Sequence, residues 1–80
     1  MARDFTNADE GKHVMTADGD MVGTIEQVSG GMAHVSPDAS LDRSIRQKLG
    51  WSEEGEATYE LRSDHVDQFS GNEVHLKGDI

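Results

Sequence analysis

Four histidines (His13, His34, His65, His75), two carboxylates around a glycine (Asp18-Gly19-Asp20) and three cations within six residues (Arg43, Arg46, Lys48) are the groups in this 80-residue chain that could do chemistry. The imidazoles, with Asp64 or Asp67 nearby, carry the donor atoms a Zn²⁺ site uses. Their spacing follows no metal signature, and no pair lies at i, i+4 on a predicted helix. Exposed positions on strands explain them better, so metal or small-ligand carriage is the third reading of function. Asp18-Gly19-Asp20 offers oxygens to Ca²⁺, but an EF-hand loop needs further ligands and a distal bidentate Glu that are missing here. Asp-Gly between alternating apolar runs is a hairpin turn. Serines such as Ser29, Ser36, Ser40 and Ser63 lack a nucleophile-elbow context, and no P-loop or dinucleotide fingerprint occurs. The chain contains no cysteine, which removes disulfides, thiolate metal sites and cysteine nucleophiles together. A non-enzyme without a cofactor is expected.

The cations and a tryptophan are the stronger candidates. Arg43, Arg46 and Lys48 gather three of seven basic residues on one short predicted helix. They either offset neighbouring carboxylates and complement the helix C-terminus, or present a face to an acidic partner or a second copy of the chain. Leu49-Gly50-Trp51 follows that helix. Trp51 either caps the barrel end against Leu49 and Ile45 or projects as an interface anchor, a role aromatics dominate. The candidate interface is therefore Arg43, Arg46, Leu49 and Trp51.

The elements that position these residues are legible from turn chemistry. Residues 1–10 read as a loose lead-in, with Phe5 pinning it to the rest, and residues 11–80 as one domain. A strand over His13–Thr16 leads through the Asp18-Gly19 turn into a longer strand over Met21–Val28. Its apolar residues Met21, Val22, Ile25 and Val28 break alternation at Gly23, which implies a bulge or sharp bend. Gly30-Gly31 forms a second hairpin turn into Met32–Val35, and Ser36-Pro37-Asp38 stops the sheet. A helix over Leu41–Leu49, capped by Ser40 and ended by Gly50, carries the stripe Leu41, Ile45, Leu49, and Asp42 can pair with Arg46. An acidic loop over 52–56 precedes a strand over 57–61, a single helical turn capped by Ser63, and a closing hairpin of Val66–Phe69 with Glu73–Lys77. Met15, Met21 and Met32 read as core filler. The fold class is mainly β: a six-stranded small barrel or β-roll with one short helix after the third strand.

Composition bounds the partners. With 34% hydrophobic residues the core is thin, and self-association into a homodimer is expected. No run approaches a membrane-spanning helix, and the first residues lack the apolar stretch of a signal peptide, so the simplest reading is a soluble cytoplasmic protein without membrane insertion. Sixteen acidic against seven basic residues give a formal charge of −9, which repels nucleic acid. The carboxylates are dispersed, lysine is limited to Lys12, Lys48 and Lys77, and the pattern reads as a salt-adapted surface.

Gly11-Lys12, Val14, Asp18-Gly19, Val22-Gly23, Ile25 and Val28 resemble the opening of a PRC-barrel domain, and Leu61–Val66 with Gly71–Leu76 resemble that family's closing strands. The resemblance spans roughly residues 10–77 and is closest to small stand-alone archaeal members; the helix and Leu49-Gly50-Trp51 are its less typical part. It implies a non-catalytic protein-interaction module, often dimeric, built on turn glycines and core apolars. Some archaeal members are adaptors of the cell-division machinery, so a partner there is one expectation. A relative within the ribosome maturation factor supplies the alternative, a ribosome- or RNA-associated factor, against which the missing basic face argues.

Overall fold

Strand alternation and glycine turns build the sheet. The computed structural model describes residues 3–51 and 57–78. Strand β1 (His13–Met15) turns through Gly19, at φ +91°, into β2 (Met21–Ser29). Thr16, itself buried, closes the turn by accepting the Asp20 amide on its hydroxyl at 3.0 Å. Gly30 and Gly31, both at positive φ, join β2 to β3 (Met32–Pro37), the conformation a two-residue hairpin turn of mirror-image type requires.

The broken periodicity of β2 has two causes. Val14 pairs with Gly23 and Met15 with Met21, so Val22 is an extra residue against β1. Ile25 pairs with Val35 and Gln27 with His34, so Glu26 is an extra residue against β3. Each bulge shifts the pleat by one, which brings Val22, Ile25 and Val28 to the same inner face and bends the strand. Gly23 is required for a separate reason. A Cβ there would lie 2.3 Å from the Ser36 carbonyl oxygen, so β3 approaches as no other residue would allow.

Strand β4 (Tyr59–Leu61), β5 (Val66–Phe69) and β6 (Glu73–Leu76) complete one sheet in the order β4-β3-β2-β1-β6-β5. Only β1 and β6 run parallel; the other neighbours are antiparallel. The consecutive strands β4 and β5 lie at opposite edges yet are joined by a single 3-10 turn, Ser63–His65. The sheet therefore curls into a half-barrel. Val14, Val22, Ile25, Val35, Leu61, Val66, Val74 and Leu76 fill its concave side at 1% exposure or less. The fold is mainly β, with one short α-helix among the described residues.

Two plugs seal the two ends. Helix α1 (Arg43–Lys48) lies beside the β1–β2 turn, where Leu41, Ile45, Leu49 and Trp51 join the core. At the β2–β3 turn end Phe5, 3% exposed, pins residues 3–10 to the sheet as expected, but the segment is not loose: Asp9 is fully buried in the 3-10 turn Asn7–Asp9.

Several boundaries differ from the sequence reading for local reasons. The helix is capped by Asp42, whose carboxylate accepts the Ser44 amide at 3.0 Å; Ser40 donates its hydroxyl to Asp38 instead. Strand β3 continues through Ser36 to Pro37, beyond the end of its pairing with β4, so the missing proline N–H interrupts no ladder on that side. Strand β4 starts at Tyr59, and Arg62 rather than Ser63 precedes the 3-10 turn. Met15, Met21 and Met32 are half-buried outside the core, because they alternate with Val14, Val22 and Ala33 and face outward. The expected acidic loop over 52–56 lies outside the described residues.

Candidate functional site

The helix and Trp51, the leading candidate from sequence, divide in the folded chain. Trp51 is 3% exposed and Leu49 8%. The indole stacks on Tyr59 at 5.3 Å between ring centres and 16° between planes, and its N–H donates to the Glu60 carbonyl at 2.9 Å. That carbonyl belongs to edge strand β4, so Trp51 covers part of an edge that would otherwise invite another strand. Leu49 and Trp51 are thus core and edge cover; the chain's own sheet takes up the surface an interface would need. Arg46 is half-buried, its guanidinium donating to the Tyr59 hydroxyl at 2.8 Å and lying 5.5 Å from that ring's centre. With Asp42 engaged in the cap, Arg46 serves as a strut between helix and sheet. Of the four candidate residues, Arg43 alone is exposed, and Lys48 joins it on the solvent side of α1.

The other candidates are dispersed. Ring Nε2 of His75 lies 3.0 Å from Glu73 Oε1, and His13 lies beside Glu73 in the parallel β1–β6 register. His34 faces Gln27 and Glu60 from β3, and His65 sits in the 3-10 turn before β5. Among the described residues no group of three or more His, Asp or Glu is arranged to hold a metal ion. Asp18 and Asp20 are exposed on the hairpin turn.

The most tightly built polar cluster is one the sequence reading missed. Asp9 accepts Arg3 in a fork at 2.7 and 2.9 Å, the Lys12 ammonium at 2.7 Å and the Thr6 amide at 2.9 Å. The Arg3 guanidinium lies 3.9 Å from the centre of the Phe69 ring, and Phe5 meets the same ring edge-on at 5.4 Å. Hydrogen bonds from Arg3, then from Lys12 and the Thr6 amide, outweigh burial and hold the Asp9 carboxyl far below the usual carboxylate range. The same pairing raises Arg3. Every oxygen of Asp9 is occupied from within the chain, so this cluster clamps the N-terminal segment to β5. The signal for it was Thr6-x-x-Asp9, a spacing suited to reciprocal capping of a helical turn, with Lys12 three residues on.

Among the described residues two open clefts can be placed. One, of about 330 Å³, is lined by Asp4, Gly30, Gly31, Met32, Arg62, Ser63 and Asp64. Arg62 and Asp64 pair across it at 3.0 Å, and the Ser63 hydroxyl donates to Asp4 at 3.2 Å. The other, of about 240 Å³, lies between the β1–β2 turn and α1.

A family model matches residues 5–76, from the buried Phe5 to the last core residue of β6. The chain belongs to DUF8593, a family of unknown function. The match takes in Phe5, Asp9 and Lys12, though not Arg3, together with the half-barrel and α1, so the DUF8593 unit includes most of the N-terminal plug as well as the sheet. No curated protein and no solved structure matches the chain.

Proposed function

We propose that this DUF8593 chain is a non-catalytic protein-interaction module, an adaptor suited to a salt-adapted cytoplasm. The observation that carries the reading is the exposure of Arg43 on the solvent side of α1 in a chain of net charge −9. Arg3 and Lys12 are paired with Asp9 and Arg62 with Asp64, while Arg43 and Lys48 place two exposed cations on one short helix of an acidic molecule. Such a face recruits an acidic segment of a partner and orients it through complementary charge. Support comes also from the PRC-barrel resemblance of residues 10–77, which implies interaction rather than catalysis, with cell-division proteins among the partners it suggests. An RNA- or ribosome-associated role lacks the basic surface such binding draws on.

The test is affinity capture at native salt with the wild-type chain and the Arg43→Glu variant. A protein captured by the wild type, bound directly when purified, and weakened at least about tenfold by the substitution supports the reading. Identical capture by both chains removes the helix as the docking face.

A further inference from the structure

One row on the outer face of the sheet brings two thioethers and an imidazole side by side. Met15 on β1 pairs with Met21 on β2 and, on its other side, with His75 on β6. Their neighbours Val14, Val22, Val74 and Leu76 point into the core, so strand alternation turns all three side chains to the same outer face. Each is half-buried there. The next row along is polar, running Glu73, His13, Thr24, Ser36, and Gln68 stands beyond His75 on β5. Two adjacent methionines on such a surface fill no part of the core. Met21 also lines the open cleft beside α1, so solvent reaches it.

That donor set selects a class of ion. Among the described residues no three His, Asp or Glu side chains are grouped for a hard or borderline dication. Thioethers are soft donors and favour Cu(I), for which two sulfurs and one imidazole nitrogen make an uncharged, low-coordinate set. The spacing suits it. Two strand spacings, about 9.5 Å, separate the backbones of His75 and Met21, with Met15 midway. Methionine has three rotatable bonds, so both sulfurs can swing over the middle strand without straining the sheet. Nε2 of His75 lies 3.0 Å from Glu73 Oε1. With the proton on Nε2 and donated to that carboxylate, Nδ1 keeps its lone pair, as in histidines that ligate metals. A net charge of −9 adds a general attraction for cations. We propose that Met15, Met21 and His75 bind one Cu(I) ion on the outer face of the sheet, with Glu73 as the positioning residue for the imidazole.

The test is a titration of the folded chain, isotope-labelled at its methionine methyl groups, with Cu(I) supplied as its acetonitrile complex in the absence of oxygen. Chloride binds Cu(I), so sulfate provides the salt and favours the folded chain. The Met15 and Met21 methyl signals move together and stop at one equivalent, while Met32, beside the β2–β3 turn, stays fixed. X-ray absorption at the copper edge then reads both sulfur and nitrogen ligands. Met15→Leu, Met21→Leu and His75→Gln each weaken binding at least about tenfold. Leucine nearly conserves the volume of methionine, so these chains keep the fold, checked by Trp51 emission. Arg43→Glu binds Cu(I) like wild type, which separates this site from the partner face. No methyl shift at one equivalent, equal shifts at Met32, or variants that bind like wild type would each overturn the proposal. So would Zn²⁺ that moves the same signals as strongly, because the site would then not select soft ions.

Discussion

Arg3 grips Asp9 with both terminal nitrogens of its guanidinium, at 2.7 and 2.9 Å, while the same guanidinium lies on the ring of Phe69. One side chain thus ties the N-terminal segment to a buried carboxylate and to edge strand β5 at once. Asp9→Asn removes the charge that Arg3 and Lys12 share and is expected to destabilise the chain by about 2–4 kcal/mol, somewhat less than for a fully buried pair because Arg3 remains half exposed. Arg3→Ala costs less, about 1–2 kcal/mol, since Lys12 and the Thr6 amide still hold the carboxylate. Urea unfolding of the three chains measures the order.

The same carboxylate sets an acid limit. Its folded pKa lies below the ordinary value of 3.8, so its stabilisation is full above that value and is lost as pH falls through it toward the folded pKa. Wild-type stability therefore declines below about pH 4 more steeply than that of Asp9→Asn. Acid titrations followed by Trp51 emission compare the two; parallel curves would exclude Asp9 as the source.

Gly23 is fixed by the strand beside it. An alanine methyl would strike the Ser36 carbonyl oxygen and the Val35 side chain, and backbone cannot step aside as a side-chain tip can. Gly23→Ala is expected to cost about 3 kcal/mol. Gly71→Ala, where no atom lies within 4 Å of the added carbon, serves as the control and costs under about 1 kcal/mol. Thermal or urea unfolding checks both.

Trp51 reports on the core of a single chain. Its emission is blue-shifted and does not redden on dilution, because Tyr59 and Glu60 of the same chain enclose it. Trp51→Phe keeps an aromatic face for Tyr59 and forfeits the bond to Glu60, a loss of about 1–2 kcal/mol. Trp51→Ala empties the slot and costs about 3–5 kcal/mol.

The dispersed carboxylates give a salt prediction that is independent of any partner. Screening their mutual repulsion raises the urea midpoint steadily as KCl increases. A midpoint insensitive to KCl would remove salt adaptation as the reason for the acidity.

Signals that act within a few residues were readable from the chain alone. Gly19, Gly30 and Gly31 sit at the positive φ their turns need, and the apolar break near Gly23 marked a true bulge, one residue earlier at Val22. The two closing strands and the helix before Gly50 were equally local, resting on periodicity and a glycine stop. Ser40 was expected to cap the helix, but it bonds Asp38 and Asp42 takes the cap, a shift of two residues that local propensity does not resolve.

Burial belongs to the tertiary structure, because what covers a side chain comes from segments far away in sequence. Trp51 became core when β4, eight residues on, supplied a ring and a carbonyl. Asp9 became a clamp because Arg3 and the ring of Phe69 arrive from opposite ends of the chain. The methionines faced outward once bulges had set the phase of β2. Sequence determined the turns, the strands and the acidity of this protein. The folded chain alone decided which charges are sealed inside and which, Arg43, Lys48 and Asp20 among them, meet solvent.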